Sequence, residues 1–193
     1  MTPVHRGAAR ALAAGLPLAA LLLAAGCGTL STPAPLPTVA QVDLARYAGT
    51  WHEIARLPNV FQNRCTGEVT ATYARRADGA VSVTNRCRTA DGGFTVAEGV
   101  ARTLDASNAR LKVSFLPAAL RWLPFGEGDY QVIALDADYG WVMIGEPGRG
   151  YLWVLARQPS LPPATLQALL ERARTLGFPV ERVIRTGTAA APR

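Results

Sequence analysis

The chain has 193 residues, a formal charge of +6 at pH 7, and 49% hydrophobic residues against 18% charged ones. This length fits one ordinary globular domain, and the composition is too apolar for an intrinsically disordered chain. The basic excess is small and scattered along the sequence, which argues against nucleic acid as a partner.

The first 26 residues are typical of a secretory leader. A positively charged start with His5, Arg6 and Arg10 precedes an Ala/Leu-rich run over residues 11–23, and small residues lead up to Cys27. The run is too short and too rich in Ala to favour a membrane-spanning helix. We therefore expect residues 1–26 to be a signal peptide.

The residues around Cys27 resemble a bacterial lipobox. The resemblance implies that the leader is cleaved before Cys27, which then carries the lipid anchor; a plain secretory signal is the alternative. Gly28 in place of an Asp implies an outer-membrane destination, with the protein facing the periplasm. Several acyl chains hold a protein on a bilayer stably, whereas one chain binds only reversibly. The Pro-, Ser- and Thr-rich stretch that follows predicts a flexible tether.

Short segments rich in β-branched and aromatic residues follow the tether. Turn signals separate them, as in Ala77-Asp78-Gly79 and Asp91-Gly92-Gly93, where hairpins require Gly, Asn or Asp. Eight strands are predicted, over residues 51–57, 68–75, 80–88, 94–104, 110–116, 129–135, 141–146 and 151–157. No helical pattern interrupts them, so the predicted fold class is all-β, an eight-stranded up-and-down antiparallel barrel wide enough for one small ligand.

One amphipathic α-helix is predicted after the last strand, packed outside the barrel. The segments 141–144 and 151–155 are apolar on both faces, which requires a cover on their outer side. Ser160 is placed to cap a helix that begins near Leu161 and ends at Gly177. The predicted organisation is a signal peptide (1–26), a lipid-anchored Cys and tether (27–40), a barrel domain (41–186) and a disordered tail (187–193).

Three ordered motifs resemble those of the lipocalin family. Gly49-Thr50-Trp51 resembles the Gly-x-Trp entry motif, in the form found in bacterial outer-membrane lipoprotein lipocalins and their apolipoprotein D-like relatives. Asp136 with Tyr139 resembles the second motif, and the segment ending in Arg157 resembles the third. The resemblance implies a protein that binds fatty acids or lysophospholipids.

An up-and-down course brings all three motifs to the same, closed end of the barrel. We interpret Gly49, Trp51, Asp136, Tyr139 and Arg157 as structural residues of this floor. The Arg157 guanidinium is expected over the Trp51 ring, a cation–π contact worth up to about 2 kcal/mol when desolvated.

The apolar positions of alternating strands are candidates for the ligand cavity. Their phase is an interpretation, because a slip of one residue turns a strand inside out. The predicted inward-facing residues are Tyr73, Val83, Val113, Phe115, Tyr130, Val132, Trp141 and Met143. A barrel filled by these side chains is the alternative.

Four loops are predicted at the open end. Phe61, Arg64, Arg121 and Trp122 are the candidate mouth residues, and either arginine could pair with a phosphate or carboxylate head group; an ordinary surface arginine is the alternative. The apolar loop 116–128 is a candidate lid, a segment packed on its own barrel rim, a membrane contact or a homodimer contact.

Cys65 and Cys87 are both predicted near the open end. In an oxidising compartment, with Cys27 lipidated, they form an even pair, and we expect a disulfide; two free thiols are the alternative. His52 is the single His after the leader and is predicted to face outward, while Glu53 and Glu98 form no recognisable acid pair. No catalytic residue, metal site or cofactor is therefore predicted.

The sequence thus predicts a lipid-anchored binding or transport protein rather than an enzyme. Its expected partners are a fatty acid or lysophospholipid and the outer membrane, without nucleic acid. Two alternatives stay open: an enzyme that uses Cys65 as a nucleophile, and a structural envelope lipoprotein with a filled barrel.

Overall fold

Nine strands and two α-helices are found in the part of the chain that the computed structural model describes, residues 1–2, 34–121, 123 and 126–186. Cys27, Trp122, the tail 187–193 and all but the first two residues of the expected signal peptide lie outside these residues. The strands are β1 (Gly49–Arg56), β2 (Cys65–Arg75), β3 (Val81–Thr89), β4 (Phe94–Thr103), β5 (Arg110–Ser114), β6 (Glu127–Leu135), β7 (Trp141–Gly145), β8 (Leu152–Ala156) and β9 (Ile184–Arg185). The helices are α1 (Leu44–Tyr47) and α2 (Pro163–Thr175).

Strands β1 to β8 form a closed antiparallel barrel. Each strand pairs with the next along the chain, β8 pairs with β1, and the β1–β2 ladder from Gly49–Tyr73 to His52–Thr70 completes the circle. Beyond His52 the ladder partner of β1 on this side is β9, with Ala55 opposite Arg185. The predicted all-β, eight-stranded barrel with one main helix is confirmed, and β9 is an addition that the sequence did not indicate.

The inside of the barrel holds one of two hydrophobic cores. Trp51 and Val142 are 0% exposed, and Leu111, Ile144 and Leu155 are also buried. Each fully buried side chain of this kind contributes roughly 1.5–3 kcal/mol to stability. Because Tyr47 of α1 joins the same cluster, this short helix covers the closed end of the barrel.

The second core lies between the outer face of the barrel and α2. Leu166, Leu169 and Ala173 of the helix pack against Ile133, Met143 and further residues of β1, β6, β7 and β8. Strands β7 and β8 are therefore buried on both sides, which explains why their sequences are apolar without alternation.

The start of α2 differs from the prediction. The helix begins at Pro163 with Pro162 at the N-cap, and Ser160 makes no capping hydrogen bond. Proline already has the backbone φ of a first helical turn and lacks an N–H that would need a capping acceptor, so the two prolines start the helix without the serine. At the other end Gly177 has a φ of +89°, the left-handed conformation in which helices commonly end.

Candidate functional site

The closed end of the barrel is a floor built around Trp51. The Arg157 guanidinium carbon lies 3.9 Å from the centre of the Trp51 ring. Arg157 also donates hydrogen bonds to the backbone carbonyls of Arg46, Ala48 and Thr50, at 2.7, 2.9 and 3.1 Å. Because one side chain binds carbonyls from α1 and from β1, it fixes the helix beneath the barrel.

The remaining motif residues lie around this floor. Asp136 accepts a hydrogen bond from the backbone N–H of Gly140 at 2.9 Å and so stabilises the turn between β6 and β7. The Tyr139 hydroxyl accepts one from the backbone N–H of Asp43 at 2.9 Å, which joins this turn to the start of α1. Gly49 has a φ of +99°, and a Cβ there would come within 3.2 Å of the Arg157 guanidinium. A side chain at position 49 would therefore be strained and would also press on Arg157.

Three tyrosines form a layer with their hydroxyl groups together inside the barrel. The Tyr130 hydroxyl lies 2.5 Å from that of Tyr47 and 3.0 Å from that of Tyr73. The Tyr47 ring contacts Trp51 and Tyr73, with ring centres 5.0 and 5.2 Å apart. Burial is the main cause that raises the pKa of Tyr73 to about 12, and it raises the pKa of Tyr47 and Tyr130 well above the ordinary value. All three hydroxyls are therefore protonated at neutral pH.

Most of the predicted cavity residues face the inside of the barrel. Tyr73, Val83 and Val132 are buried in the inner core, and Tyr130 and Val113 are half-buried against it. Phe115 aligns with Gly99 and with Val83 across the sheet, and its ring would contact a Cβ at Gly99, so it faces inward as well. It is nevertheless 42% exposed, since it lies toward the open end.

Trp141 and Met143 are corrections to the predicted cavity. Both belong to the outer core under α2, and Val142 and Ile144 are the residues of β7 that face inward. The apolar pattern did not show which alternate residues of β7 face inward, because β7 is covered on both sides. A register shift between Val132 and Ala134 adds to the difficulty, since it places Ile133 and Ala134 both toward the helix.

The first loop at the open end carries exposed apolar side chains. Val60 and Phe61 are 70% and 74% exposed, and Arg64 is exposed beside them. Arg121 differs from the prediction, because it lies with Ser82, Thr84 and Glu98 along a groove of about 310 Å³ on the outer face of β3 and β4. Its guanidinium donates to the carbonyl of Leu116 at 2.9 Å, which folds the described part of the loop 116–128 back on itself. Trp122 lies outside the described residues.

A buried polar cluster that was not predicted lies on the inner wall of β1. Glu53 is 4% exposed, with the Arg56 Nε 3.2 Å from its carboxylate. Gln62 and Thr186 donate hydrogen bonds to the same carboxylate at 2.6 and 2.8 Å. Gln62 in turn accepts one from the Trp153 indole at 3.1 Å, which ties the first loop to β8. Side chains two positions apart on a strand lie on the same face, so the inward-facing Trp51 implies that Glu53 also faces inward. The inward position of Glu53 was therefore predictable from the sequence.

Burial dominates the chemistry of this carboxyl group. It raises the pKa of Glu53 above its ordinary value, and the hydrogen bonds from Gln62 and Thr186 and the charge of Arg56 offset the rise only in part. Ionisation of the Glu53 carboxyl group is thus disfavoured, although Arg56 lies beside it. Gln62, from the first loop at the open end, holds the carboxyl group in place.

Cys65 and Cys87 form a disulfide, as predicted, with their Cα atoms 5.5 Å apart. The bond joins the start of β2 to β3 near the open end. A bonded sulfur is not a thiolate, so the nucleophile on which the enzyme alternative depended is absent from the described structure.

Residues 42–188, which are most of the chain, match the model of the lipocalin-like domain family. The chain belongs to the lipocalin family. This confirms the resemblance that the three motifs carried, and the floor described above is the part of this lipocalin in which all three meet.

Similar proteins include bacterial lipoproteins. This lipocalin is 39% identical over 175 residues to the outer membrane lipoprotein Blc of Escherichia coli strain K12, covering 88% of this chain and 94% of that one. It is 28% identical over 166 residues to apolipoprotein D of Mus musculus, covering 83% and 84% of the two chains. Among solved structures, insecticyanin from the tobacco hornworm Manduca sexta superposes with a TM-score of 0.62 at 19% identity, over 81% of this chain and 86% of that one. The last likeness concerns the fold alone.

The predicted lipid anchor lies outside the part of the chain that the structure describes. Cys27 lies outside the described residues, so its lipidation stays a prediction. No helix in the described ranges is long and apolar enough to cross a membrane.

Proposed function

We propose that this lipocalin binds one single-chain amphiphile, a fatty acid or a lysophospholipid, with the acyl chain inside the barrel and the head group at the mouth. One observation carries the proposal: apolar side chains form most of the inside of the barrel, and their exposure differs from end to end. Trp51 at the floor is 0% exposed, whereas inward-facing Phe115 is 42% exposed. Apolar surface that water reaches from one end only suits the burial of a hydrocarbon chain, which gains roughly 25 cal/mol per Å².

The proposed location is the periplasmic face of the outer membrane, with Cys27 as the lipid anchor. The name of the Escherichia coli relative supports this location, and so does the lipobox-like sequence before Cys27. In that position the protein would carry or store envelope lipids without chemical change. The disulfide at Cys65 supports a binding protein over an enzyme.

A pair of substitutions on one strand tests the proposal. Ala97 is an exposed residue of β4 that faces inward, because it aligns with Asn85 and, through it, with buried Ala71. Its neighbour Val96 faces outward and is 55% exposed. Ala97→Trp should fill the lumen, whereas Val96→Trp adds the same side chain outside.

The measurement is displacement of a fluorescent fatty acid from residues 33–193, which form one compact unit. We expect wild type and Val96→Trp to bind alike and Ala97→Trp to bind at least about 10-fold more weakly, since a filled lumen excludes the chain. No binding by wild type would favour the filled-barrel alternative. Equal binding by all three proteins would place the ligand outside the barrel.

A further inference from the structure

The tyrosine layer at the bottom of the barrel has an unused hydrogen-bond donor. We infer that Tyr47, Tyr73 and Tyr130 form a site for a neutral oxygen at the buried end of the bound chain, so that the preferred cargo is a single-chain amphiphile with a terminal hydroxyl group. The inference rests on the proposed function, and it adds a polar contact at the end of the cavity where an ordinary acyl chain presents a methyl group.

The three hydroxyl groups have one proton more than the contacts between them use. Three hydroxyls carry three protons, and the two contacts at Tyr130 use two of them. Among the described residues no other hydrogen-bond partner reaches any of the three hydroxyls. At least one O–H group is therefore left to donate, in surroundings formed mainly by apolar side chains of the inner core. A buried donor without an acceptor destabilises the protein, so a partner for it is expected.

The tyrosine layer is accessible from the lumen at Tyr130. Tyr47 and Tyr73 are buried at 5% and 6% exposure, whereas Tyr130, which binds both, is half-buried. The next inward position of β6 toward the open end is Gly128, which pairs with Val113. A Cβ at Gly128 would meet nothing closer than a Val113 methyl group at 3.8 Å. No side chain at position 128 thus covers Tyr130 from the lumen side.

The charges around the tyrosine layer select the chemical class of the ligand group. Arg157, the cation of the floor, stacks on Trp51 and donates to backbone carbonyls of α1 and β1. A carboxylate at the tyrosine layer would find the Arg157 guanidinium already bound to these carbonyls, and it would be expensive to desolvate. A hydroxyl group can accept from one tyrosine and donate to another without bringing a charge.

Pairs of ligands that differ only at the far end test the inference. The series runs from decanoic to octadecanoic acid, each compared with its terminal-hydroxyl counterpart by displacement of the fluorescent fatty acid from residues 33–193. The control ligand is the corresponding 2-hydroxy acid, whose added hydroxyl stays near the head group. The test variant is Tyr47→Phe with Tyr73→Phe and Tyr130→Phe, which removes every hydroxyl of the layer and keeps the rings. Tyr151→Phe is the matched control, because Tyr151 stacks on Trp153 outside the layer.

We expect wild type and Tyr151→Phe to bind the best terminal-hydroxyl acid at least as tightly as its parent acid. The triple variant should bind the hydroxyl form about 10-fold or more weakly relative to the parent, since the hydroxyl group then loses its partners. If the triple variant keeps the wild-type ratio of affinities for the hydroxyl form and the parent acid, the inference is overturned. If the triple variant does not fold, the affinity ratio of wild type alone tests the inference. Weaker binding of the hydroxyl form than of the parent acid by wild type then overturns the inference. Binding of neither acid by wild type contradicts the proposed function itself.

Discussion

The two ends of the barrel use aromatic side chains in opposite ways. At the closed end Trp51, Tyr47 and Tyr73 are buried, and their rings pack against one another. At the open end Phe61 and Phe115 are 74% and 42% exposed. The closed end is therefore stabilised by packing, whereas the open end keeps apolar surface free and relies on a disulfide and a buried polar cluster. Stability and ligand access are assigned to different ends of the same strands.

The largest expected difference between the ends concerns truncation of an aromatic residue. Trp51→Ala should lower the free energy of unfolding by about 3–5 kcal/mol, because it leaves a cavity beneath the tyrosine layer. Phe61→Ala should change it by less than about 0.5 kcal/mol, since the ring is already in water. Urea denaturation of both variants measures the difference. Similar losses at the two positions would contradict the division between the ends.

The next effect concerns the covalent restraint at the open end. Cys65 and Cys87 are 22 residues apart in sequence, and the bond restricts the unfolded chain. Replacing both by Ser should lower the free energy of unfolding by about 3 kcal/mol. Wild-type protein with its disulfide reduced serves as the control and should match the double variant in urea. Coincident unfolding curves for the reduced and oxidised wild type would show that packing alone holds the open end.

The smallest effect is a pH dependence from Glu53. A carboxyl whose folded-state pKa is raised stabilises the fold fully below its unfolded-state pKa, and this contribution is lost as the pH rises through the folded-state pKa. Wild type should therefore lose stability relative to Glu53→Gln as the pH rises from about 4 to about 7.

The Glu53→Gln variant isolates this group from the others. Glu68, Asp78, Asp91 and Asp105 have lowered pKa values, mainly through hydrogen bonds to their carboxylates, and they act in the opposite direction in both proteins. Unfolding by urea at a series of pH values gives the difference between the two proteins. A constant difference across that range would show that Glu53 ionises as readily in the fold as in the unfolded chain.

Local sequence patterns were sufficient to predict the barrel but not to predict which residues line its inner wall. The eight strands were predictable because turn residues and β-branched segments alternate at short intervals. Which residues of β7 face inward was not predictable, because α2 covers its outer face and makes Met143 as buried as Val142 and Ile144 and Trp141 half-buried. The contacts of Arg121 could not be predicted from the sequence either, since they depend on how its loop folds back over the outside of the barrel.

The polar groups inside the barrel were harder to predict for a different reason. Glu53 looked like an isolated carboxyl group because its partners Gln62 and Thr186 lie 9 and 133 positions away in sequence. Tyr47 and Tyr130 are 83 positions apart and meet only because α1 folds under the barrel. Such contacts depend on closure of the sheet, which no local pattern records.

The junction of β1 with β9 has a practical consequence for adding a tag to the protein. Above His52 the first strand is joined on its free side to Ile184–Arg185, a strand of two residues near the end of the fold. Detaching so short a segment takes far less free energy than unfolding the barrel, because the other ladders stay intact. A tag or fusion placed immediately after Thr186 should therefore free this short strand, and with it the Thr186 hydrogen bonds to Ile54 and Glu53, before it disturbs the barrel.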